Sequence, residues 1–434
     1  MRGARFPVWL LWTGAALSAT SPPRSVEFAD LDPVTRQILA QEGTGAAQFP
    51  DLIRALDRQT AARLREGESD HLIFFVLQST RFTRRVSIEP ALSARDFVRS
   101  LNPATRAAYL TGHAATALAA NVPPSVKERM RDFLSALQHP LPDVRLAWFR
   151  QYLPDSERTI DHLCKEYARA MRFLYRKEFV RDQGAASYQN RGHSSDTRIE
   201  SSFAVATALH VIEALDARLR ITRVLIVGPG LDFAPRTGFI DSYPPQSYQP
   251  YAVADVLLAS GMSTPGQLRI HCVDINPRVL DFFREFPHRS ERRLILLRGW
   301  NSSEYDEYFR TLGQRIGVES PLAGGKSLLV SQQSADSIAA SKLNVITERS
   351  DPQPRYDLIV ATNVLLYFNR TELLLALDNI RSMLAPGGYL IHNELRPEVE
   401  QLSTALNFGP LQARTLRFTP TLFDSFVIHR KPPE

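Results

Sequence analysis

Four β-favouring apolar residues, Val224, Leu225, Ile226 and Val227, run directly into Gly228-Pro229-Gly230-Leu231-Asp232. This junction constrains the fold more than any other part of the chain. An unbroken apolar run of this length suits a strand buried on both faces of a parallel sheet. Glycines at its carboxyl end mark a place where the backbone must approach something closely. About forty residues later a second apolar run, Leu268 to Val273, ends in Asp274. On a doubly wound sheet this is the layout of a nucleotide-type site, with the glycine turn beneath the ligand and the acid accepting ribose hydroxyls.

The remainder of the second half keeps alternating strand and helix patterns. Helical periodicity from Asn276 to Phe286 is followed by strand-like runs at Leu294–Leu297, Ser327–Val330 and Leu343–Thr347, with a helix expected over Tyr305–Ile316 between the first two. Tyr356–Thr362 reads as a strand, Arg370–Leu384 as a helix, Ala385-Pro386-Gly387-Gly388 as a turn and Tyr389–Asn393 as another strand. The tail from Thr415 to His429 alternates as one or two edge strands do. Such alternation predicts an α/β sheet, mostly parallel, with helices on both faces. From Val26 to about Arg181 the pattern is mainly helical instead. Prolines stand at expected helix starts in Asn102-Pro103 and Pro123-Pro124, and an amphipathic run covers Asp161–Phe179. The expected organisation is a helical N-terminal domain over 24–182 and the sheet domain over 183–434. The polar stretch 183–198, with Gly192 and His193, precedes a helix leading to the first strand, and serves either as a lid over the ligand or as a surface linker.

At 434 residues the chain exceeds what one core usually holds. Its 52 Lys and Arg against 46 Asp and Glu leave a formal +6, spread without long like-charged blocks, so no nucleic-acid partner is expected. The two cysteines, Cys164 and Cys272, have no metal-ligand spacing, and no metal is expected. Residues 1–23 carry a basic start, an apolar run from Phe6 to Leu17 and a small-residue segment, which resembles an export signal. The run is too short to span a bilayer comfortably, and no transmembrane span is expected elsewhere.

Four pieces in order resemble the class I S-adenosylmethionine-dependent methyltransferases. They are Val224–Gly230, Val273-Asp274-Ile275-Asn276-Pro277, Tyr356–Phe368 and Leu384–Leu390. Asn363-Val364-Leu365-Leu366-Tyr367-Phe368 is also similar to the corresponding stretch of CheR-type glutamyl methyltransferases. The resemblance implies a Rossmann-like methyltransferase sheet and S-adenosylmethionine (SAM) as cofactor. It implies that Gly228, Pro229, Gly230, Asp232, Asp274, Ile275 and Asn363 contact the cofactor, and that Asn363 and Tyr367 serve the reaction. Two departures stand out. Ile226 occupies a position where the family often has an acid, and Asp232 one where it often has glycine.

The expected activity is methyl transfer from SAM to a small-molecule or protein acceptor that the sequence does not identify. The same fold without catalysis, acting as a binding protein, and aminopropyl transfer are the alternatives. A carboxylate acceptor needs no base, whereas a protonated acceptor does, and His193, His271 and His392 are the candidates. Either Ser334–Asp336 or Thr347-Glu348 contacts the adenine. Asn363 also fits a purely turn-forming role and Tyr367 a core aromatic. SAM use favours the cytoplasm, whereas the N-terminus resembles an export signal. The sequence does not set the oligomeric state.

Overall fold

The computed structural model describes residues 22–112, 118, 120–139, 143–180, 188–189, 191–197, 201–232, 243–297, 303–351, 353–409, 412–417 and 423–433. The export-signal reading therefore lies outside the described residues, apart from Pro22 and Pro23. The first half of the chain contributes β1 (Arg24–Ser25), α1 (Pro33–Gln41), α2 (Phe49–Gln78), α3 (Pro90–Ser100), α4 (Pro103–Thr111), α5 (Pro124–Gln138), α6 (Val144–Tyr152) and α7 (Ile160–Phe179). Then come α8 (Ser201–Leu215), β2 (Arg223–Val227), α9 (Gln249–Ala259), β3 (Arg269–Asp274), α10 (Pro277–Glu285), β4 (Arg293–Leu297) and α11 (Ser303–Thr311). These are followed by β5 (Gly317–Leu322), β6 (Gly325–Val330), α12 (Gln332–Asp336), β7 (Ile338–Lys342), β8 (Glu348–Arg349), β9 (Tyr356–Ala361) and α13 (Arg370–Met383). The chain closes with β10 (Leu384–His392), α14 (Pro397–Ala405), β11 (Gln412–Arg417) and β12 (Phe423–Arg430).

Helix starts follow local chemistry. Asp32 accepts from Val34 N and Asn102 from Thr105 N, each with proline in the first turn, and Thr159 accepts from His162 N at the head of α7. At the head of α13, Asn369 and Glu372 form a reciprocal capping box.

Seven strands form the main sheet in the order β11-β12-β10-β9-β2-β3-β7. Neighbours from β10 to β7 are parallel, and β12 runs antiparallel to both β10 and β11. This is the expected Rossmann-like, mostly parallel sheet, with one reversed strand near its edge. Successive β2 side chains enter opposite cores: Val224 and Ile226 one, Leu225 and Val227 the other. Burial on both faces is what its unbroken apolar run anticipates. Ile226, the departure from the usual acid, is thus a fully buried core residue.

Two strand expectations are corrected. Leu294–Leu297 and Ser327–Val330 do form strands, but in a separate antiparallel sheet of order β4-β6-β5 inserted between α10 and α12. Leu343–Thr347 is a turn, and the outermost parallel strand is β7, just before it. β7 reads Ile-Ala-Ala-Ser-Lys, too weakly apolar to announce a strand by pattern.

The helical half holds a third core, built by α2 to α7 around Phe75, Phe97, Phe133 and Tyr167. The chain's beginning does not belong to that core. β1 pairs with β8, and Leu31, Leu39, Phe49 and Ile53 pack with α13 on one face of the main sheet. The 30-residue α2 therefore starts against the sheet domain and ends in the helical core. No helix among the described residues is long and apolar enough to cross a membrane. Cys164 and Cys272 are both free and buried.

Candidate active site

The parallel sheet reverses its winding direction beside β2, since β3 and β7 continue to one side and β9 and β10 to the other. Ligands bind beyond the carboxyl ends of strands at such a switch point. A cavity of about 640 Å³, including its open mouth, lies there. Val227, Gly228 and Gly230 line it after β2, and Val273, Asp274 and Ile275 after β3. Leu343 to Ile346 follow β7, and Asn363, Val364, Tyr367 and Phe368 follow β9.

The glycine turn has the backbone its sequence implied. Gly228 and Gly230 have φ of +64° and +63°, a region hostile to side chains. A Cβ on Gly228 would lie 2.7 Å from Val364 Cγ2. One on Gly230 would overlap Thr197 Oγ1 and lie 2.5 Å from Ser195 O. Gly228 N donates to Val273 O at 2.8 Å, tying the turn to the end of β3.

Asp274 is buried at the centre of this arrangement. Its carboxylate accepts from the backbone of Asn276, at 2.8 Å, and also of Gly230 and Ile275. Burial nevertheless pushes it up to about 7, against those three N–H donors and with the Glu68 charge adding to the rise. The N-cap of α10 is Asn276, whose side chain accepts from Arg278 N. Asn276 Nδ2 donates to Glu68 Oε1 at 2.9 Å and to Ser195 Oγ at 2.8 Å.

Asn363 adopts φ +58°, rare for a side-chain-bearing residue. Its N–H donates to Asn393 Oδ1, and Asn393 Nδ2 returns a bond to Asn363 Oδ1, both at 2.8 Å. The turn-forming role is therefore met in the same residue that lines the cavity. Tyr367 is buried in a 3₁₀ turn, its ring edge-on to Tyr188 and His193 at 6.0 and 5.3 Å. Its hydroxyl is bonded to Ser194, and burial raises its ionisation. Of the residues expected to meet the cofactor, Gly228, Gly230, Asp274, Ile275 and Asn363 line the cavity, while Pro229 and Asp232 do not. Asp232 N instead donates to Gln246 O at 2.8 Å, and Arg145 of α6 approaches its carbonyl.

Neither expected adenine segment lines the cavity. Ser334–Asp336 belongs to α12, which precedes β7 instead of following it. Thr347 ends the turn whose earlier residues do the lining, and Glu348 begins β8.

Sequence reasoning also missed a wall supplied from the helical half: Thr60 and Leu64 of α2, joined by His193, Ser194, Ser195 and Thr197. The polar stretch read as lid or linker thus has its described part, 191–197, at the cavity. It crosses α2 where Gly192 meets Gly67. A Cβ on Gly192 would overlap Gly67 N and lie 2.7 Å from Arg63 O, and one on Gly67 would overlap the His193 carbonyl. The strap then pairs with the glycine turn, Leu231 N donating to Ser195 O at 2.7 Å and Thr197 N to Leu231 O at 2.9 Å. The signal for this crossing was a lone glycine inside a long helical pattern.

Buried charges hold the strap. Arg63 donates to Tyr367 O at 2.7 Å and Arg191 O at 3.0 Å, with the Glu372 carboxylate 3.5 Å away. Asp70 meets Arg169 at 2.8 Å and Arg191 at 3.2 Å. Arg191 also lies over the Phe173 ring. His71 Nε2 is 3.0 Å from Ser194 Oγ, and burial pushes this imidazole down to about 4.

The three candidate bases separate cleanly. His271 is buried within β3, 2.7 Å from Tyr356 Oη and 2.8 Å from Ser341 Oγ. His392 is 2.9 Å from His429 Nε2, and its Nδ1 accepts from Glu394 N. His193 alone of the three lines the cavity.

Residues 246–406 match the family model "CheR methyltransferase, SAM binding domain". The match begins after the glycine turn and covers β3, β7, β9 and β10, so the sheet order and the match meet on the same domain. It brings SAM as the cofactor that a CheR-like domain of this kind binds. Similar solved structures include N-methyltransferase NodS from Bradyrhizobium japonicum WM9 in complex with S-adenosyl-l-homocysteine, at 15% identity and TM-score 0.29, over 58% of this chain and 97% of that one. Another is the CurJ carbon methyltransferase, at 14% identity and TM-score 0.30, over 93% and 100%. A third is a possible exported protein from Bordetella parapertussis, at 13% identity and TM-score 0.30, over 79% and 97%. No curated protein matches the chain.

Proposed function

We propose that this protein transfers a methyl group from SAM to an acceptor held between the sheet domain and α2. The observation that carries the reading is the buried Asp274 carboxylate, bonded by the Gly230 amide and facing a cavity at the switch point. In this reading the Gly228–Gly230 turn passes beneath the methionine part, Asp274 accepts the ribose hydroxyls, and Leu343–Ile346 flank the adenine. Asn363, fixed by Asn393, lies towards the acceptor. SAM supplies a methyl group already activated on a sulfonium. The protein's own residues align the partners and exclude water.

Calorimetric titration with S-adenosylhomocysteine (SAH) tests this. The wild type is expected to bind. Gly230→Arg should weaken binding by at least about 100-fold, since each factor of ten is about 1.4 kcal/mol and a side chain there collides with the strap. Asp274→Ala should lose charged hydrogen bonds of about 1.5–3 kcal/mol, or about 10- to 100-fold. No heat and no thermal shift with millimolar SAH would sink the proposal. SAH binding without any transfer would favour the non-catalytic alternative, with which the apolar Ile226 is consistent. Aminopropyl transfer draws no support, because Asp336, Asp351 and Asp357 lie outside the cavity lining.

SAH binding should also depend on pH in a defined direction. In the empty cavity Asp274 takes up a proton below about 7, whereas ribose hydroxyls bond best to the carboxylate. Binding must then expel a proton, so affinity rises with pH up to about 7 and levels above it. The slope below 7 approaches about tenfold per pH unit for one proton. At pH 6 the heat should vary with buffer ionisation enthalpy, and Asp274→Asn should flatten the profile. Equal wild-type affinities at pH 6 and 8 would refute the assignment. The same shift makes the empty fold lose stability as pH climbs from the ordinary 3.8 towards about 7, because only the protonated form is comfortable there.

A further inference from the structure

His193 is 7% exposed, lines the cavity, and has a buried Nε2 without a hydrogen-bond partner among the described residues. Leaving a buried polar atom unpaired costs about 1–3 kcal/mol. Such an atom in a ligand cavity is a place for a ligand's donor. The residue is held firmly. Its N–H donates to Arg63 O at 2.7 Å, its carbonyl is pressed against Gly67, and its ring lies edge-on to Tyr367 and Phe368 at 5.3 and 6.4 Å. Those two rings follow Asn363, at the β9 end of the cavity, opposite the Asp274 and Leu343–Ile346 end.

The charge of the lining narrows what arrives there. Among the described lining residues Asp274 is the sole carboxylate, and there is no Lys or Arg. No lining side chain offers an anionic acceptor a charge-assisted hydrogen bond, and burying an anion without one is costly. An uncharged hydroxyl or N–H nucleophile meets no such penalty, but it must lose a proton during transfer.

We propose that His193 Nε2 takes that proton from an uncharged hydroxyl or N–H acceptor. The proposal rests on the methyl-transfer reading above. The acceptor's O–H or N–H bond breaks and its proton passes to Nε2, leaving an imidazolium. The acceptor's electron pair forms the bond to the methyl carbon as the carbon–sulfur bond breaks, and that bond's pair stays on sulfur. Burial, reinforced by the Arg63 guanidinium on α2, pushes His193 down to about 3. Tyr367 from the 3₁₀ turn lies edge-on to it, and Asp274 stands at the other end of the cavity. The ring therefore starts neutral, and a base this weak takes the proton only as the bond to the methyl carbon forms and the acceptor turns strongly acidic.

The test uses the full chain with SAM labelled in its methyl group, incubated with extract of the cells that make the protein. Label released as methanol by alkali reports a carboxylate acceptor. Alkali-stable label with the carbon NMR shift of an O–CH3 or N–CH3 group reports a hydroxyl or N–H acceptor, and the shift of an S–CH3 or C–CH3 group would overturn the assignment. Stable label is expected, falling about 100-fold or more in His193→Gln, the lower range for a general base, while SAH affinity changes little. Nitrogen NMR of histidine-labelled, SAH-saturated protein should show His193 neutral at pH 6 with its proton on Nδ1. Alkali-labile label, unchanged transfer in His193→Gln, or an imidazolium at pH 6 would each overturn the assignment and leave the methyl-transfer reading standing. Absence of SAH binding, or binding without label in either form, would overturn the methyl-transfer reading itself and the proposal with it.

Discussion

Gly67→Ala is expected to destabilise the protein and weaken SAH binding at least tenfold, although the same change in an ordinary helix is stabilising. Alanine normally gains about 1 kcal/mol over glycine in a helix interior. Here the added methyl would overlap the carbonyl carbon and oxygen of His193 and come within 3.0 Å of Ser194 N. Backbone on both sides leaves no flexible side-chain end to yield. The overpacking cost, about 1–3 kcal/mol or more, outweighs the propensity gain and falls on the strap that closes the cavity. Urea unfolding and SAH titration of the variant check this together. A variant as stable as the wild type, with equal affinity, would show that the strap does not cross α2 at this point.

Asp70→Ala should produce the larger loss of global stability, about 3–5 kcal/mol. That is the usual consequence of removing one member of a buried ion pair. Asp70 is fully buried, and the two guanidiniums it meets belong to different parts of the chain, Arg169 to α7 and Arg191 to the strap. Arg169 retains Glu166 as a partner, whereas Arg191 is left with no carboxylate partner among the described residues and has the Phe173 ring beneath it. Arg191 therefore carries most of the penalty, and the strap should loosen first. Hydrogen exchange across 191–197 should accelerate more than exchange within β2. A loss below about 1 kcal/mol would place Asp70 with surface pairs, whose median contribution is that small.

The sheet was legible in the sequence because its central strands leave little choice. Val224–Val227 and Tyr356–Ala361 are buried on both faces, so their residues are almost all apolar, and Gly228 and Asp274 stand where such strands stop. Asn363 was legible for the same reason, lying just beyond the end of β9. The inserted antiparallel sheet was harder to read. Leu294–Leu297 shows a strand but not its partner, and pairing direction is a tertiary property. Strand β7 was overlooked because Ala339, Ala340 and Ser341 carry little apolar signal, which displaced the expected adenine contacts to either side of the turn that lines the cavity. Thr60 and Leu64 lie more than a hundred residues from Gly228 or Asp274, and the strap about thirty or more. Their place at the cavity depends on how α2 docks, a choice that no local pattern encodes. Only Gly67 and Gly192 hint at it, and each becomes intelligible once the other is seen against it.

The two-glycine crossing also bears on how such a chain can be altered wholesale. The helical half is not an interchangeable attachment, because α2 carries the groove in which the strap is seated and part of the ligand wall. A chimera joined near residue 182 would pair a foreign helix with the native strap. Unless that helix also had a glycine facing Gly192, the recombined protein would fold two sound halves around a spoiled interior. Recombination that preserves function must therefore transfer Gly67 and Gly192 together, as a single inherited unit.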